Sequence, residues 1–305
     1  MAVQGEPNRG QRLDPVAGVA LRRVLAPNPS ALTGPGTNSW LLGRGAVTVI
    51  DPGPALPAHL AAILSGLDPG ERIAQIIVTH AHLDHSALAA ELSRQTGAPV
   101  LAFGTAESGR SAVMQEWLAQ GFQGGGEGAD HAFRPDHCLV DGDQLPLPDS
   151  EARLEVLHVP GHMGGHIALA LGEVLFSGDH VMGWSSTLVS PPDGCMASYM
   201  QSLSRLAARR WNRFLPGHGG VVEDPAARLT ELITHRRARE AAILQALALG
   251  PASASEMAAR IYTDTPPALL GAASRNILAH LIDLLEKGRV GTAGLPSLTA
   301  PFHAR

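Results

Sequence analysis

Thr79-His80-Ala81-His82-Leu83-Asp84-His85 places three histidines and one aspartate within six positions, His80 to His85. A largely apolar run, Ile73 to Val78, leads into it, and a helical pattern, Ser86 to Thr96, leads out. The run is short and does not alternate, which fits a strand covered on both faces. Imidazoles and a carboxylate at a strand end are ligands for first-row metals. The competing account is a polar loop in a chain that carries 14 histidines. The rest of the chain decides between the two.

Three later segments repeat the design. Leu154 to Val159 reads as a strand that runs into Pro160-Gly161-His162. Ile167 to Leu171 and Val174 to Phe176 read as a hairpin through Gly172-Glu173, ending at Ser177-Gly178-Asp179-His180. Arg213-Phe214-Leu215 is a short strand that delivers Pro216-Gly217-His218-Gly219. In layered α/β architectures strand ends converge on one edge, so ligands distant in sequence can meet there. The glycines beside each ligand let the backbone turn tightly. Five histidines and two aspartates exceed the needs of one tetrahedral ion and suit two ions with open positions.

This constellation resembles the metallo-β-lactamase superfamily, whose pattern is H-x-H-x-D-H followed by three separate ligands. All seven positions are filled, and the resemblance spans roughly Val16 to Val222. It implies a four-layer αβ/βα sandwich of the α/β class, with the site along the open edge of the sheets. Carried over by position, His80, His82 and His162 would hold one metal, Asp84, His85 and His218 a second, and Asp179 would bridge them. Two divalent ions so placed share a water and lower its pKa, and the resulting metal-bound hydroxide attacks an electrophilic carbonyl or phosphorus. They also stabilise the charge that develops on the substrate oxygen. Asp84 is the expected catalytic residue, orienting the nucleophile as well as ligating. Zinc is the default by ligand type, with manganese and iron as alternatives.

Composition sets outer bounds. With 305 residues, 45% hydrophobic and 17% charged, the chain has material for one large domain, or one plus a small one. A net charge of −5 advertises no nucleic-acid partner. Two distant cysteines, Cys138 and Cys195, argue against a disulfide framework and suit a reducing cytoplasm. Neither a signal peptide nor an apolar run long enough for a membrane span is expected. Residues 1 to about 15 read as a loose arm, Val16 to Leu25 as a strand, and Gly121 to Gly128 as a flexible glycine-rich loop. Beyond about residue 225 the pattern is helical: 226–249, 254–262 and 268–287, followed by a strand-turn at Gly288 to Gly291. The expected division is a catalytic domain at 1–222 and a small winged-helix-like domain at 223–305.

Stretches around Ile261–Pro266, Ala273–Leu281, Gly36–Ser39 and Asp179–Tyr199 look like the β-lactamase-like protein 2 group, which implies the winged helix. Members of that group are linked to single-strand RNA cleavage or to thioester hydrolysis on carrier proteins. The expected function is a dinuclear hydrolase of an ester, thioester or lactone, small or carrier-bound. The alternatives are a metal-dependent single-strand endoribonuclease, and a non-catalytic metal-binding module whose winged helix binds nucleic acid. From residue 223 onward nine Lys and Arg stand against eight Asp and Glu, with one basic cluster at Arg236, Arg237 and Arg239. That balance favours a cleft wall or a homodimer surface over an RNA reader. His166 and Trp184 are candidate substrate contacts, and Gly183 to Gly194 is expected at the pocket mouth. His158 and His180 are assigned to packing, and Asn38 to a hydrogen bond with the loop that carries Asp51. His59, His235, His280 and His303 are assigned to the surface, and Tyr199 and Trp211 to the core or pocket wall.

Overall fold

The computed structural model describes residues 10–124 and 128–305. The first half forms a seven-stranded sheet in sequence order: β1 (Gln11–Val16), β2 (Val19–Leu25), β3 (Asn38–Leu42), β4 (Ala46–Ile50), β5 (Arg72–Ile77), β6 (Val100–Ala102) and β7 (His137–Cys138). β1 to β4 are antiparallel, and β4 to β7 are parallel. The parallel crossovers carry α1 (Pro57–Ser65), α2 (Leu83–Ser86), α3 (Ala89–Thr96) and α4 (Ala112–Ala119). A second sheet holds β8 (Gln144–Pro146), β9 (Arg153–His158), β10 (Ile167–Leu171), β11 (Val174–Gly178) and β12 (Arg213–Pro216), in the order β12-β11-β10-β9-β8. α5 (Met196–Ala207) crosses over between β11 and β12, which are parallel.

Side-chain alternation makes these sheets into layers. In β10, Ile167, Leu169 and Leu171 point between the sheets, while Ala168 and Ala170 point outward. In β3, Trp40 and Leu42 face inward and Leu41 outward. Trp40 meets Phe176 edge-on across the interface, with ring centroids 5.9 Å apart. Outside, α1 and α3 cover the first sheet through Ile63 and Leu92, and α5 covers the second through Tyr199, Leu203 and Leu206. The result is an αβ/βα sandwich. Its site-bearing loops leave the carboxyl ends of β4, β5, β9, β11 and β12 along one edge.

The C-terminal region contains α6 (Pro225–Ala248), α7 (Ala254–Ile261), a 3-10 turn at Pro267–Leu269, α8 (Leu270–Glu286) and the hairpin β13 (Val290–Thr292) with β14 (Phe302–Ala304). Helices followed by a small hairpin form a winged helix. α7 starts on a capping box in which Ser253 and Glu256 bond reciprocally. α6 belongs to both bodies: Leu229 and Leu232 pack with α5, whereas Ile243 and Leu247 join the helical core around Ile277, Leu281 and Phe302. The stretch Pro267–Glu286 is 20 residues long with mean hydropathy 1.3, long and apolar enough to cross a membrane, contrary to the expectation that no such run exists. Of its most apolar 18-residue window 56% is buried, as expected of a core helix.

The loose arm expected up to about residue 15 is corrected over its second half. Gln11, Arg12 and Leu13 pair with Arg23, Arg22 and Leu21, and Val16 is buried. β1 is a mostly exposed edge strand interrupted by Pro15, so its alternation is too weak to read in advance. Residues 1–9 of that arm, and 125–127 of the glycine-rich loop, lie outside the described residues. His59 and His280 are also corrected, from the surface to full burial. A lone histidine in a helical pattern does not reveal which face it occupies.

Arg22, in β2, is 2% exposed and donates to Glu71 at 2.5 Å, with further bonds to the carbonyls of Gly66 and Gly43. Removing the guanidinium would strand a buried carboxylate, so Arg22→Ala is expected to cost about 3–5 kcal/mol in urea unfolding. Arg12→Ala, at the exposed pair with Asp68, should leave the unfolding midpoint nearly unchanged.

Candidate metal centre

Five strand ends build the centre, and each histidine presents one ring nitrogen to it. His82 Nδ1 lies 3.0 Å from both His80 Nε2 and His162 Nε2. His218 Nε2 lies 3.2 Å from an oxygen of Asp84 and 3.2 Å from one of Asp179, and 3.3 Å from His85 Nε2. Three ligand groups therefore form: His80, His82 and His162; His80, His85 and Asp179; Asp84, His85 and His218. Within each, the ligand atoms lie within 4.8 Å of one another.

The opposite ring nitrogens are engaged by oxygen. His162 Nδ1 donates to Leu188 O at 2.7 Å, and His218 Nδ1 to Gly36 O at 3.2 Å. His85 Nδ1 donates to Asp51 Oδ2 at 3.0 Å. His80 Nδ1 lies 3.0 Å from Thr79 Oγ1, whose own proton goes to Asp51 Oδ2. For His80, His85, His162 and His218 these bonds favour the proton on Nδ1 and turn Nε2 towards the centre, whereas His82 turns Nδ1 towards it. Asp179 Oδ1 is buried without a hydrogen-bond partner. Neutral nitrogens of His80, His82 and His162 that face one another are unfavourable as they stand, Asp179 Oδ1 has His85 Nε2 at 3.4 Å in place of a hydrogen bond, and a pair of divalent cations would satisfy both groups. Gly217 leaves room for this approach: a Cβ there would stand 2.5 Å from Asp179 Oδ1 and 2.6 Å from His85 Cε1.

The electrostatics divide the histidines. Burial, with repulsion from neighbouring imidazoles, holds His80 well below the ordinary value and takes His82 down to about 3. Burial also lowers His162. For His85 and His218 burial is outweighed by carboxylates: Asp179, Asp84 and Asp51 hold His85 well above the ordinary value, and Asp179 leads in raising His218 to about 9. Burial opposes ionisation of Asp84 and Asp179, yet the facing histidines keep both below the usual carboxylate range.

All seven ligand candidates are thus brought together. His166 is buried beneath them and lines no part of the cavity above, so the structure does not place it against a substrate. Its Nε2 accepts from the Asp179 amide at 3.1 Å, and its ring stacks on His80. Trp184 does line that cavity and is 46% exposed. His180 packs against Tyr199, and His158 against Phe103. Asn38 bonds Pro216 O and Gly219 O, which braces the His218 turn rather than the Asp51 loop. Asp51 is the functional residue that sequence reasoning passes over. Its signal is a carboxylate at a strand end, inside Asp51-Pro52-Gly53, of the same kind as Asp179.

The cavity above the centre holds about 400 Å³. Its walls come from Ser30 to Thr33, from Met182 and Trp184 to Leu188, and from Tyr262, Leu269 and Ala273 of the helical region. No Lys or Arg lines it among the described residues.

Residues 32–218 match the metallo-beta-lactamase superfamily profile. The chain belongs to that superfamily and is a hydrolase. Residues 253–295 match the beta-lactamase associated winged helix domain. The Beta-lactamase-like protein 2 homolog of Drosophila melanogaster is 32% identical, over 88% of this chain and 88% of that protein. The Atrochrysone carboxyl ACP thioesterase of Aspergillus fumigatus is 28% identical, over 87% of this chain and 79% of that protein. A metallo-beta-lactamase family protein from Thermus thermophilus superposes with a TM-score of 0.72 at 27% identity, covering 93% of this chain and 98% of that one.

Two outcomes are expected for the superfamily centre in this chain. In the metal-free protein the facing carboxylates favour an extra proton on His85 and raise His218 to about 9. Metal loading should therefore release protons, and apparent affinity should climb as pH rises from 6.5 towards about 9. Calorimetric titrations in buffers of different ionisation enthalpy measure this, and zero proton release would contradict it. Asp51→Asn should weaken metal binding by about tenfold or more, read by chelator competition, since it supports His80 and His85 together.

Proposed function

We propose that the chain is a dinuclear metal-dependent hydrolase of apolar acyl thioesters or esters, small or carrier-bound, with residues 1–222 as the catalytic unit and 223–305 as a wall over it. His80, His82 and His162 would hold one divalent cation, Asp84, His85 and His218 the other, and Asp179 would lie between them. Zinc is the default for this donor set, with manganese and iron as alternatives. Bound there, such cations supply Lewis acidity and a water that is acidic near neutral pH.

The chain's own residues do the rest. Asp84 is the one carboxylate of the centre with appreciable exposure, 29% for its side chain, and it lines the cavity. Thr37 Oγ1 donates to Asp84 Oδ2 at 3.3 Å and fixes its rotamer. Asp84 is therefore placed to take a proton from an attacking water and pass it to the leaving group. Trp184, Leu32, Leu269 and Tyr262 offer an acyl chain an apolar path to the centre.

The observation that carries the substrate class is the wall of the cavity over the centre, which lacks a cation among the described residues; Arg275 lines the adjoining groove beyond Leu32 and Leu269. A nucleic-acid strand would call for guanidinium or ammonium groups along its flanking phosphates, whereas the apolar wall suits an acyl chain. The similarity to a fungal carrier-protein thioesterase supports the same reading.

The test is a hydrolysis panel on metal-loaded protein, covering acyl thioesters, esters, lactones, a phosphodiester and single-stranded RNA. Turnover of apolar thioesters or esters is expected. With metal saturating, Asp84→Asn should lower kcat by about 10²–10⁴-fold. Turnover of RNA alone would overturn the substrate class, and turnover of nothing by protein holding two metals would overturn the hydrolytic role.

A further inference from the structure

Arg236 sits in α6, 1% exposed, yet among the described residues its hydrogen-bond partners are a carbonyl and an amide oxygen and not carboxylates. Nη2 donates to Thr187 O, Nη1 donates to Asn276 Oδ1 at 3.2 Å, and the guanidinium lies 5.2 Å from the centre of the Tyr199 ring. A buried cation without a counter-charge is costly and persists where it holds something in place. What it holds is the segment 187–189. Asn276, from α8, accepts from the Val189 amide at 3.0 Å with the same oxygen that Arg236 engages. Between those two anchors lie the groups that touch His162: Leu188 O at 2.7 Å and Thr187 Oγ1 at 2.9 Å from Nδ1.

We propose that Arg236 is a positioning residue for the metal centre: with Asn276 it clamps residues 187–189 so that Leu188 O fixes the tautomer and ring angle of His162. The winged-helix region thereby supplies a support for a ligand of the catalytic unit, 74 positions away in sequence from His162 to Arg236. The chemistry is specific. A carbonyl at Nδ1 requires the proton there, which leaves the Nε2 lone pair for a cation. Were the segment to relax, His162 could take the other tautomer and present N–H to the centre. His85 and His218 have separate supports in Asp51 and Gly36, so the effect falls on the group His80, His82 and His162.

This inference rests on the two-metal reading of the site, and cobalt(II) titration of the full chain separates the two. Failure of the unaltered protein to take up two equivalents refutes the two-metal reading itself. If the unaltered protein takes up both, Arg236→Ala should bind one equivalent about tenfold more weakly. Its visible absorption should change in band position, with circular dichroism unaltered. Millimolar guanidinium, which fits the vacated space, should partly restore the absorption, a response that a loss of general stability would not give. Asn276→Ala removes the other anchor with a smaller side-chain loss and should shift the same bands in the same direction. A folded Arg236→Ala with unchanged stoichiometry and spectrum overturns the proposal. If that variant does not fold, an unchanged spectrum in Asn276→Ala overturns it.

Discussion

One buried carboxylate ties the two halves of the ligand loop together. Asp51 follows β4 at φ +53, 1% exposed, and its oxygens take the Thr79 amide at 2.7 Å, the Thr79 hydroxyl at 2.8 Å and His85 Nδ1 at 3.0 Å. Through Thr79 it also sets His80. The parallel pairing of β4 with β5 brings Asp51 beside Thr79, and the left-handed backbone turns its side chain under the loop. That conformation is costly for a residue other than glycine and persists because the three bonds determine it. One member of each proposed ligand triad therefore depends on the same carboxylate, which makes the two positions a unit.

The remaining ligands arrive by the same logic on the second sheet. His162 lies in the loop between β9 and β10, Asp179 follows β11 and His218 follows β12. The loops themselves are irregular and contribute few ladder bonds. They hold position because the strands beneath them are completely buried, from Ile167 to Leu171 and from Val174 to Gly178. The rigidity a metal centre needs thus comes from the interleaved apolar rows between the sheets, and the loops supply only the donor atoms.

Much of this is legible in the sequence because the ligands are marked twice: His80 to His85 by residue type and close spacing, and His162, Asp179 and His218 by residue type and a turn with glycine. The parallel strand before His80 and the two strands of the buried hairpin before Asp179 are short, largely apolar runs, and such runs announce themselves. What stays hidden are positions whose meaning is set by distant partners. Asp51 looks like an ordinary strand breaker until Thr79 and His85 stand beside it. His59 reads as a helix-surface residue, yet it is buried against Ser39 Oγ at 2.8 Å, where burial takes it down to about 4. β1 escapes notice because an exposed edge strand has no alternation to show. Arg236 reads as part of a basic cluster, since composition counts charges and cannot see which way they point.

That last misreading bears on what the helical region does. A nucleic-acid surface presents its cations outward, towards phosphates. Here three arginines of α6 turn towards the protein. Arg228 donates to Met182 O and Ser185 O at 2.7 Å each, and Arg236 to Thr187 O. Arg239 lies 4.0 Å from the centre of the Tyr262 ring. Residues 182–187 belong to no strand, and guanidinium groups take up the carbonyls of Met182, Ser185 and Thr187. The cations are thus committed to holding the cavity wall, the side of Trp184 and Leu188, rather than to drawing in a polyanion. On the reading proposed above, α6 and the helices beyond it would brace the catalytic cleft. That arrangement also accounts for a helical region nearly neutral in charge that still concentrates arginine on α6, a helix that packs against the metal-binding unit.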